Sequence, residues 1–295
     1  MNIAIIGSEG IIGKKLVGFL CESGYSVYGY DLFSECSDYT KSLKNYTYFC
    51  ISDKEIDYIG MDGLVILAGK RPVGNFLIND YYDNVNIVWE NVINAVENNV
   101  KSIVFASSIS VYSGNDFPYK ESDYSIPINL YGASKLAGEQ MGLLLTKGTN
   151  SSFKALRFAH VIGVNEKKGF LIRTLLDNAI NKRTQIVYGS GNQSRHYIYI
   201  NDVCRAIALS LLKEEISGVY NIGMKKPVTN LELAICANKA FHNEENLKHD
   251  YSKNMIGIND EMNVDKAKTV LGFIAEYDIE STFLDLAESI KNNDK

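Results

Sequence analysis

Prolines, tryptophan and cysteines are all scarce in this chain of 295 residues: four, one and five respectively. So few prolines leave no Pro-rich linker, and without internal repeats or low-complexity segments the chain reads as a compact body with no flexible join. Cys21, Cys36, Cys50, Cys204 and Cys236 are widely spaced, odd in number and never arranged C-x-x-C. That usage is expected of reduced thiols in a cytoplasmic protein, not of a disulfide frame or a zinc site. No apolar run approaches the roughly 20 residues of a membrane span. The opening MNIAIIGSEG lacks a basic segment and Glu9 ends its apolar run, so a strand is expected there and not a signal peptide. The formal charge of −5 is spread without a basic block, which argues against nucleic acid or an anionic membrane as the main partner. There is no G-x-S-x-G elbow and no His/Cys/Glu cluster with metal-ligand spacing.

With 46% hydrophobic residues, the chain can bury one large α/β core or two lobes. Strand-like NIAIIG, YSVYGYD, YTYFCI, GLVILAG, SIVFASS and SFKALRFAHVIG alternate with helical patterns at 12–22, at 81–97 and after Asn129. The 81–97 segment places Val85, Val88, Val92 and Val96 on one stripe. Such alternation predicts an α/β fold, a Rossmann-type doubly wound parallel sheet covered on both faces. After Gly163 the pattern loosens: helix 170–182, strand 185–188, helix 201–213, the strand GVYNIG, and helices from Asn230 and Ile279. The expected division is a dinucleotide-binding domain over 1–162, to whose sheet elements near 196–222 return, and a smaller interleaved lobe over 163–295.

GSEGIIG follows the first strand and opens a helix. Amides at a helix start, with the positive end of its dipole, can hold a pyrophosphate. Gly7 would make the turn, Gly10 would admit the phosphates, and Gly13 would let the helix lie close to the sheet. The spacing G-x-x-G-x-x-G departs from G-x-G-x-x-G, and a glycine triplet alone is also compatible with a plain turn. Asp31, 18 residues beyond Gly13, ends the second strand where a carboxylate would meet the adenosine ribose hydroxyls. A carboxylate there repels a 2′-phosphate, so NAD is expected over NADP. Ile11, Ile12, Leu32, and Leu67–Ala68–Gly69 after the fourth strand complete the expected cofactor wall. Asp53 is a further candidate for adenine.

Tyr131 stands four residues before Lys135, on one helical face. The pair alone is compatible with packing or with acid–base work. Ser107, Ser108 and Ser110 lie at the carboxyl end of a central strand, where open parallel sheets bind ligands. Together, Gly7-x-x-Gly10-x-x-Gly13, Asp31, Ser108 before ISVY, and Tyr131-x-x-x-Lys135 resemble the extended short-chain dehydrogenase/reductase family of nucleotide-sugar epimerases and dehydratases. RFAHVIG, IVYGSGNQSRHYIYINDVCRAI, GVYNIG and DKAKTVLGF extend the resemblance over nearly the whole chain.

The resemblance implies an NAD-dependent enzyme acting on a nucleotide-diphosphate sugar. Tyr131 would be the proton carrier, with Lys135 and the nicotinamide ring favouring its phenolate. Ser108 would hold the reacting oxygen, Lys135 would also grip the nicotinamide ribose, and Phe158 would sit near the nicotinamide. On the substrate side it implies Ser108, Ser110, His160 and Arg195, the arginine on the pyrophosphate. His160 and His196 replace an asparagine and an aspartate of the family pattern, and Lys70–Arg71 could face an anionic substrate. The family's 4,6-dehydratases carry Asp-Glu after the catalytic hydroxyl residue; Ile109 and Ser110 stand here, which argues against dehydration. A C4-type epimerase is expected. Asp31 favours it, while the slim second lobe favours a 4-keto-sugar reductase; a non-catalytic dinucleotide sensor is the reading of another class. Ile87, Trp89 and Ile93, with Ala137, Met141, Leu144 and Leu145 on the helix after Tyr131, predict a homodimer through these two helices.

Overall fold

The computed structural model describes residues 1–51, 56–71, 74–164, 169–252 and 259–293; Asp53 lies outside them. The strands are β1 (Asn2–Ile6), β2 (Ser26–Asp31), β3 (Tyr46–Cys50), β4 (Gly63–Ile66), β5 (Ser102–Ser108), β6 (Ser152–Phe158), β7 (His160–Ile162), β8 (Gln185–Tyr188), β9 (Ser194–Arg195), β10 (Tyr197–Tyr199), β11 (Gly218–Ile222), β12 (Val228–Thr229) and β13 (Leu247–Asp250). The helices are α1 (Ile11–Glu22), α2 (Asp38–Lys41), α3 (Ile78–Glu97), α4 (Leu130–Leu145), α5 (Leu171–Ile180), α6 (Ile200–Leu211), α7 (Asn230–Ala240) and α8 (Ile279–Asn293).

Seven strands form one parallel sheet in the order β3-β2-β1-β4-β5-β6-β11. The central strands β4, β5 and β6 are near-continuous runs of buried residues because helices cover both of their faces. Helices α1 and α6 pack over one face, α3 and α4 over the other. A separate apolar cluster joins α5, α7 and α8, with Leu233, Ala237 and Phe283 fully buried. No helix among the described residues is long and apolar enough to cross a membrane.

Three departures from the sequence pattern have local causes. The segment expected as one strand at 152–163 breaks at Ala159, where the backbone changes partners. Ala159 N–H donates to Ile222 at 2.9 Å, then His160 N–H to the His196 carbonyl at 3.0 Å. Residues 160–162 therefore leave the main sheet and pair with β10. Helix α3 starts at Ile78, three residues before the expected start, because the Asp80 carboxylate accepts the Leu77 N–H at 2.8 Å and caps it. Its buried face carries Asn84 and Asn91 beside Val88, Val92 and Ala95, while Val85 and Val96 sit at its margins. Both asparagines turn inward to bond loops: Asn84 Oδ1 accepts the Lys70 N–H at 2.7 Å, and Asn91 accepts the Tyr58 hydroxyl.

Candidate active site

Strand order reverses between β1 and β4, and the loops leaving these two strands close on each other. A Cβ at Gly7, whose φ is +87°, would lie 2.7 Å from the Ala68 nitrogen. A Cβ at Gly13 would lie 2.1 Å from the Gly7 carbonyl oxygen, so neither position admits a side chain. Gly10 caps α1 with no side-chain bond, which leaves the first amides of that helix to an outside acceptor. The Asp31 carboxylate accepts the Glu9 N–H at 2.9 Å and the Leu32 N–H at 2.8 Å, and each oxygen keeps a further acceptor site. An open groove of about 1180 Å³ runs past Gly7, Gly10, Asp31, Leu32 and Leu67–Ala68–Gly69. These residues fit the pyrophosphate and ribose of a dinucleotide. Ile11 and Ile12, half-buried at the start of α1, pack against the C-terminal apolar cluster, and Ile12 also meets the main core.

At the carboxyl end of β5 the Ser108 hydroxyl accepts the Ser110 N–H at 3.1 Å and opens a 3₁₀ turn over Ile109–Tyr112. Asn129 caps α4 by accepting the Gly132 N–H at 2.8 Å. Gly132 allows that helix start to reach the turn, since a Cβ there would sit 2.4 Å from the Ser110 carbonyl oxygen. The result brings the Tyr131 phenol and Ser108 together at the carboxyl end of β5. One turn on, Lys135 is buried, its Nζ donating to the Ala106 carbonyl at 2.9 Å and lying 5.8 Å from the centre of the Tyr131 ring. Burial raises the Tyr131 pKa, opposed by Ser108 and the Arg71 charge. Burial also pulls Lys135 down to about 8, against the charge of Glu139. Ser108 and the Arg71 charge draw the phenol toward ionisation, with the Lys135 ammonium one turn behind it. Phe158 is buried and lies opposite Ser108 in the β5–β6 register.

Beneath the trio lies a buried ion pair that the sequence pattern did not single out. Arg157 Nε and Nη2 donate to the two oxygens of Glu139 at 2.9 and 2.6 Å, and the Ser107 hydroxyl donates to Glu139 Oε1 at 2.5 Å. Burial alone would lower Arg157, but its bonds to Glu139 hold it above the usual arginine range. Two further groups escaped the sequence reading. The Phe76 ring meets Tyr131 edge-on at 5.9 Å, and Asn84 Nδ2 donates to the Ser134 hydroxyl at 3.2 Å. Lys70, expected to face an anionic substrate, lines the groove, but Asp80 and Asp83 already hold its ammonium at 2.8 and 2.7 Å.

The remaining expected contacts gather around β7, β9 and β10. His160 Nε2 lies 3.0 Å from Asp260 Oδ2, while its Nδ1 has no partner among the described residues. His196 is a framework residue. Its Nδ1 accepts the Met262 N–H at 3.0 Å, so its Nε2–H donates to the Met224 carbonyl at 2.7 Å, and burial lowers its pKa. Asp260 also accepts the His196 N–H, at 2.5 Å. Arg195 is exposed, with no side-chain partner among the described residues; its charge acts on Tyr197, whose ring is 5.7 Å from that of His160. Ser110 is half-buried, its hydroxyl 3.2 Å from that of Ser108.

A parallel sheet with a glycine loop and the Asp31 carboxylate at its switch point, and Ser108, Tyr131 and Lys135 beside them, is the arrangement of a dinucleotide-dependent enzyme of Rossmann type. The chain belongs to the NAD dependent epimerase/dehydratase family, whose model matches residues 3–223. The UDP-glucose 4-epimerase of Halalkalibacterium halodurans is 27% identical over 274 residues, 82% of this chain and 81% of that one. The dTDP-4-dehydro-6-deoxyglucose reductase of Escherichia coli is 28% identical over 251 residues, 77% of this chain and 78% of the relative. Among solved structures, the UDP-N-acetylglucosamine 4-epimerase from Bacillus cereus superposes with a TM-score of 0.85 at 26% identity, over 99% of both chains. The protein is therefore an NAD-dependent enzyme of the nucleotide-sugar epimerase/dehydratase class.

Proposed function

We propose that the protein is a nucleotide-sugar C4 epimerase that works through a 4-keto sugar. The observation that carries this reading is the convergence of Ser108, at the end of β5, and Tyr131, at the start of α4, with the buried Lys135 one helical turn behind the phenol. The chemistry NAD supplies when bound is the uptake and return of a hydride. Gly7, Gly10, Ile11, Ile12 and Gly13 would hold its pyrophosphate end, Asp31 and Leu32 its adenosine ribose, and Leu67–Gly69 and Phe158 the nicotinamide side. Tyr131 takes the proton of the sugar hydroxyl and gives it back, Ser108 and Ser110 hold that oxygen, and Lys135 keeps a positive charge behind the phenol. Arg195 and His160 face the diphosphate; a guanidinium fork suits that partner.

A 4-keto-sugar reductase is the second reading, supported by the likeness to the Escherichia coli reductase. Dehydration has no support: Ile109 is buried and apolar, and the Ser110 hydroxyl is bonded to Ser108. Nuclear magnetic resonance on a panel of UDP- and dTDP-hexoses tests the proposal through the appearance of the C4 epimer with no net NADH consumed. Tyr131→Phe keeps the ring and removes the proton carrier. Turnover should fall by about 10²–10⁴-fold with NADH binding little changed. A variant retaining more than about a tenth of the rate would refute the catalytic assignment.

The proposal extends to the whole particle. Residues 1–162 with β11 would bind NAD and the rest would bind the sugar nucleotide. Five free thiols support a cytoplasmic setting. Trp89 and Leu144, 47% and 70% exposed on α3 and α4, support a homodimer through those helices. A light-scattering mass of one chain that holds on tenfold concentration would exclude the dimer.

A further inference from the structure

We propose that Glu9, inside the glycine loop, is a positioning residue for the adenosine end of NAD, acting through Asp31. Its side chain is turned away from the groove and is 3% exposed. Oε2 accepts the Ser37 N–H at 3.0 Å, Oε1 accepts the Thr40 hydroxyl at 2.8 Å, and the Tyr46 hydroxyl lies 3.3 Å from Oε1. Lys14 approaches Oε2 at 3.6 Å. A carboxylate out of water is costly unless its lone pairs are filled, and here several donors fill them.

The same residue's N–H donates to Asp31 Oδ2 at 2.9 Å. One residue thus fastens both ends of the 31–37 segment to the glycine loop, Asp31 through its backbone and Ser37 through its carboxylate. Between those ends Leu32 and Phe33, 74% and 60% exposed, stand on the groove wall beside Gly10 and Asp31. A loop tied at one end only would have to be ordered by the cofactor itself, at a cost in affinity. None of the bonds made by Glu9 reaches Ser108 or Tyr131, so its effect belongs to cofactor binding and not to proton transfer.

The inference rests on the reading of Asp31 as the ribose contact, and the test separates the two. NADH is titrated by fluorescence against the full-length protein, Glu9→Gln, Asp31→Ala and the double variant, with UDP titrated in parallel. Glu9→Gln keeps the shape and replaces one acceptor by an amide donor. The expected result is about tenfold weaker NADH binding in the unaltered background and less than about threefold in the Asp31→Ala background, with UDP binding unchanged. A loss under twofold, an equal loss in both backgrounds, or an equal loss for NADH and UDP overturns the assignment. Should Glu9→Gln fail to fold, Thr40→Val removes one of its partners and should weaken NADH alone by about threefold; an unchanged affinity there is equally fatal. An unaltered protein that binds no NADH overturns both readings, whereas Asp31→Ala at full affinity overturns the ribose contact and, with it, the route assigned to Glu9.

Discussion

Around Gly7 and Asp31 the polar groups lining the groove are main-chain amides at the start of α1 and one carboxylate that two backbone N–H groups hold in place. Around His160 and Arg195 they are side chains: the Arg195 guanidinium has no partner among the described residues, and Asp260 holds His160 through Nε2 alone. The first end is fixed by where glycines must stand, since the close approaches at Gly7, Gly13 and Gly132 admit no Cβ. The second hangs on two-stranded pairs, β7 with β10 and β9 with β12, outside the main sheet. Under the proposed assignment, a rigid cofactor end beside a side-chain-built sugar end suits a fold that keeps one chemistry while substrates change. The comparison predicts that damage under the rigid end is structural, and that damage at the sugar end is confined to binding.

The largest expected stability effect falls beneath the Ser–Tyr–Lys group. Glu139→Ala would leave the Arg157 guanidinium, 3% exposed, without its bidentate partner. Removing one member of such a pair is typically worth about 3–5 kcal/mol. Urea unfolding should show a loss of that order, and a loss below about 1 kcal/mol would mean that the pair is not what holds α4 to β6. Arg195→Ala should leave the urea midpoint unchanged and raise the KM for the nucleotide sugar by roughly tenfold or more, since hydrogen bonds from a charged group contribute about 1.5–3 kcal/mol. An Arg195→Ala enzyme with normal KM but a lowered midpoint would reverse the contrast between the two ends.

The same contrast explains what could be read from the sequence. The glycine spacing, Asp31 and Tyr131-x-x-x-Lys135 are local patterns imposed by backbone geometry, and the described residues assemble them at one sheet edge. The parallel sheet was legible from its buried runs. Partners remote in the chain were not. Asp260 meets His160 across 100 positions, and Glu139 meets Arg157 across a strand boundary. The break at Ala159 left no mark in the apolar run, because both of its halves are apolar. The outward stripe of α4 likewise hid the inward one, where Gly138 and Gly142 carry no apolar signal yet lie against the Phe105 and Phe153 rings.

Lys154 gives the finest test of what burial costs this sheet. It is fully buried in β6, away from the carboxyl edge, and its ammonium donates to the Ser102 and Ser152 hydroxyls at 2.8 and 2.6 Å and to the Lys213 carbonyl at 2.9 Å. No carboxylate among the described residues bonds it, and burial pulls its pKa down to about 7 against the charge of Glu214. A base whose folded pKa lies below its unfolded value binds fewer protons in the folded state between those two pH values. Stability contributed by this residue therefore rises as pH climbs from about 7 toward 10, by at most about 1.4 kcal/mol per unit, and is lost as pH falls back to 7. Lys154→Met carries a similar stem and no charge. The stability difference between the unaltered protein and Lys154→Met, measured by urea unfolding at pH 7, 8 and 9, should shift in favour of the lysine protein at each step. A difference that stays flat across this window would show that the three oxygens hold the ammonium at its ordinary pKa, and that the interior beneath the sheet is more polar than its apolar neighbours imply.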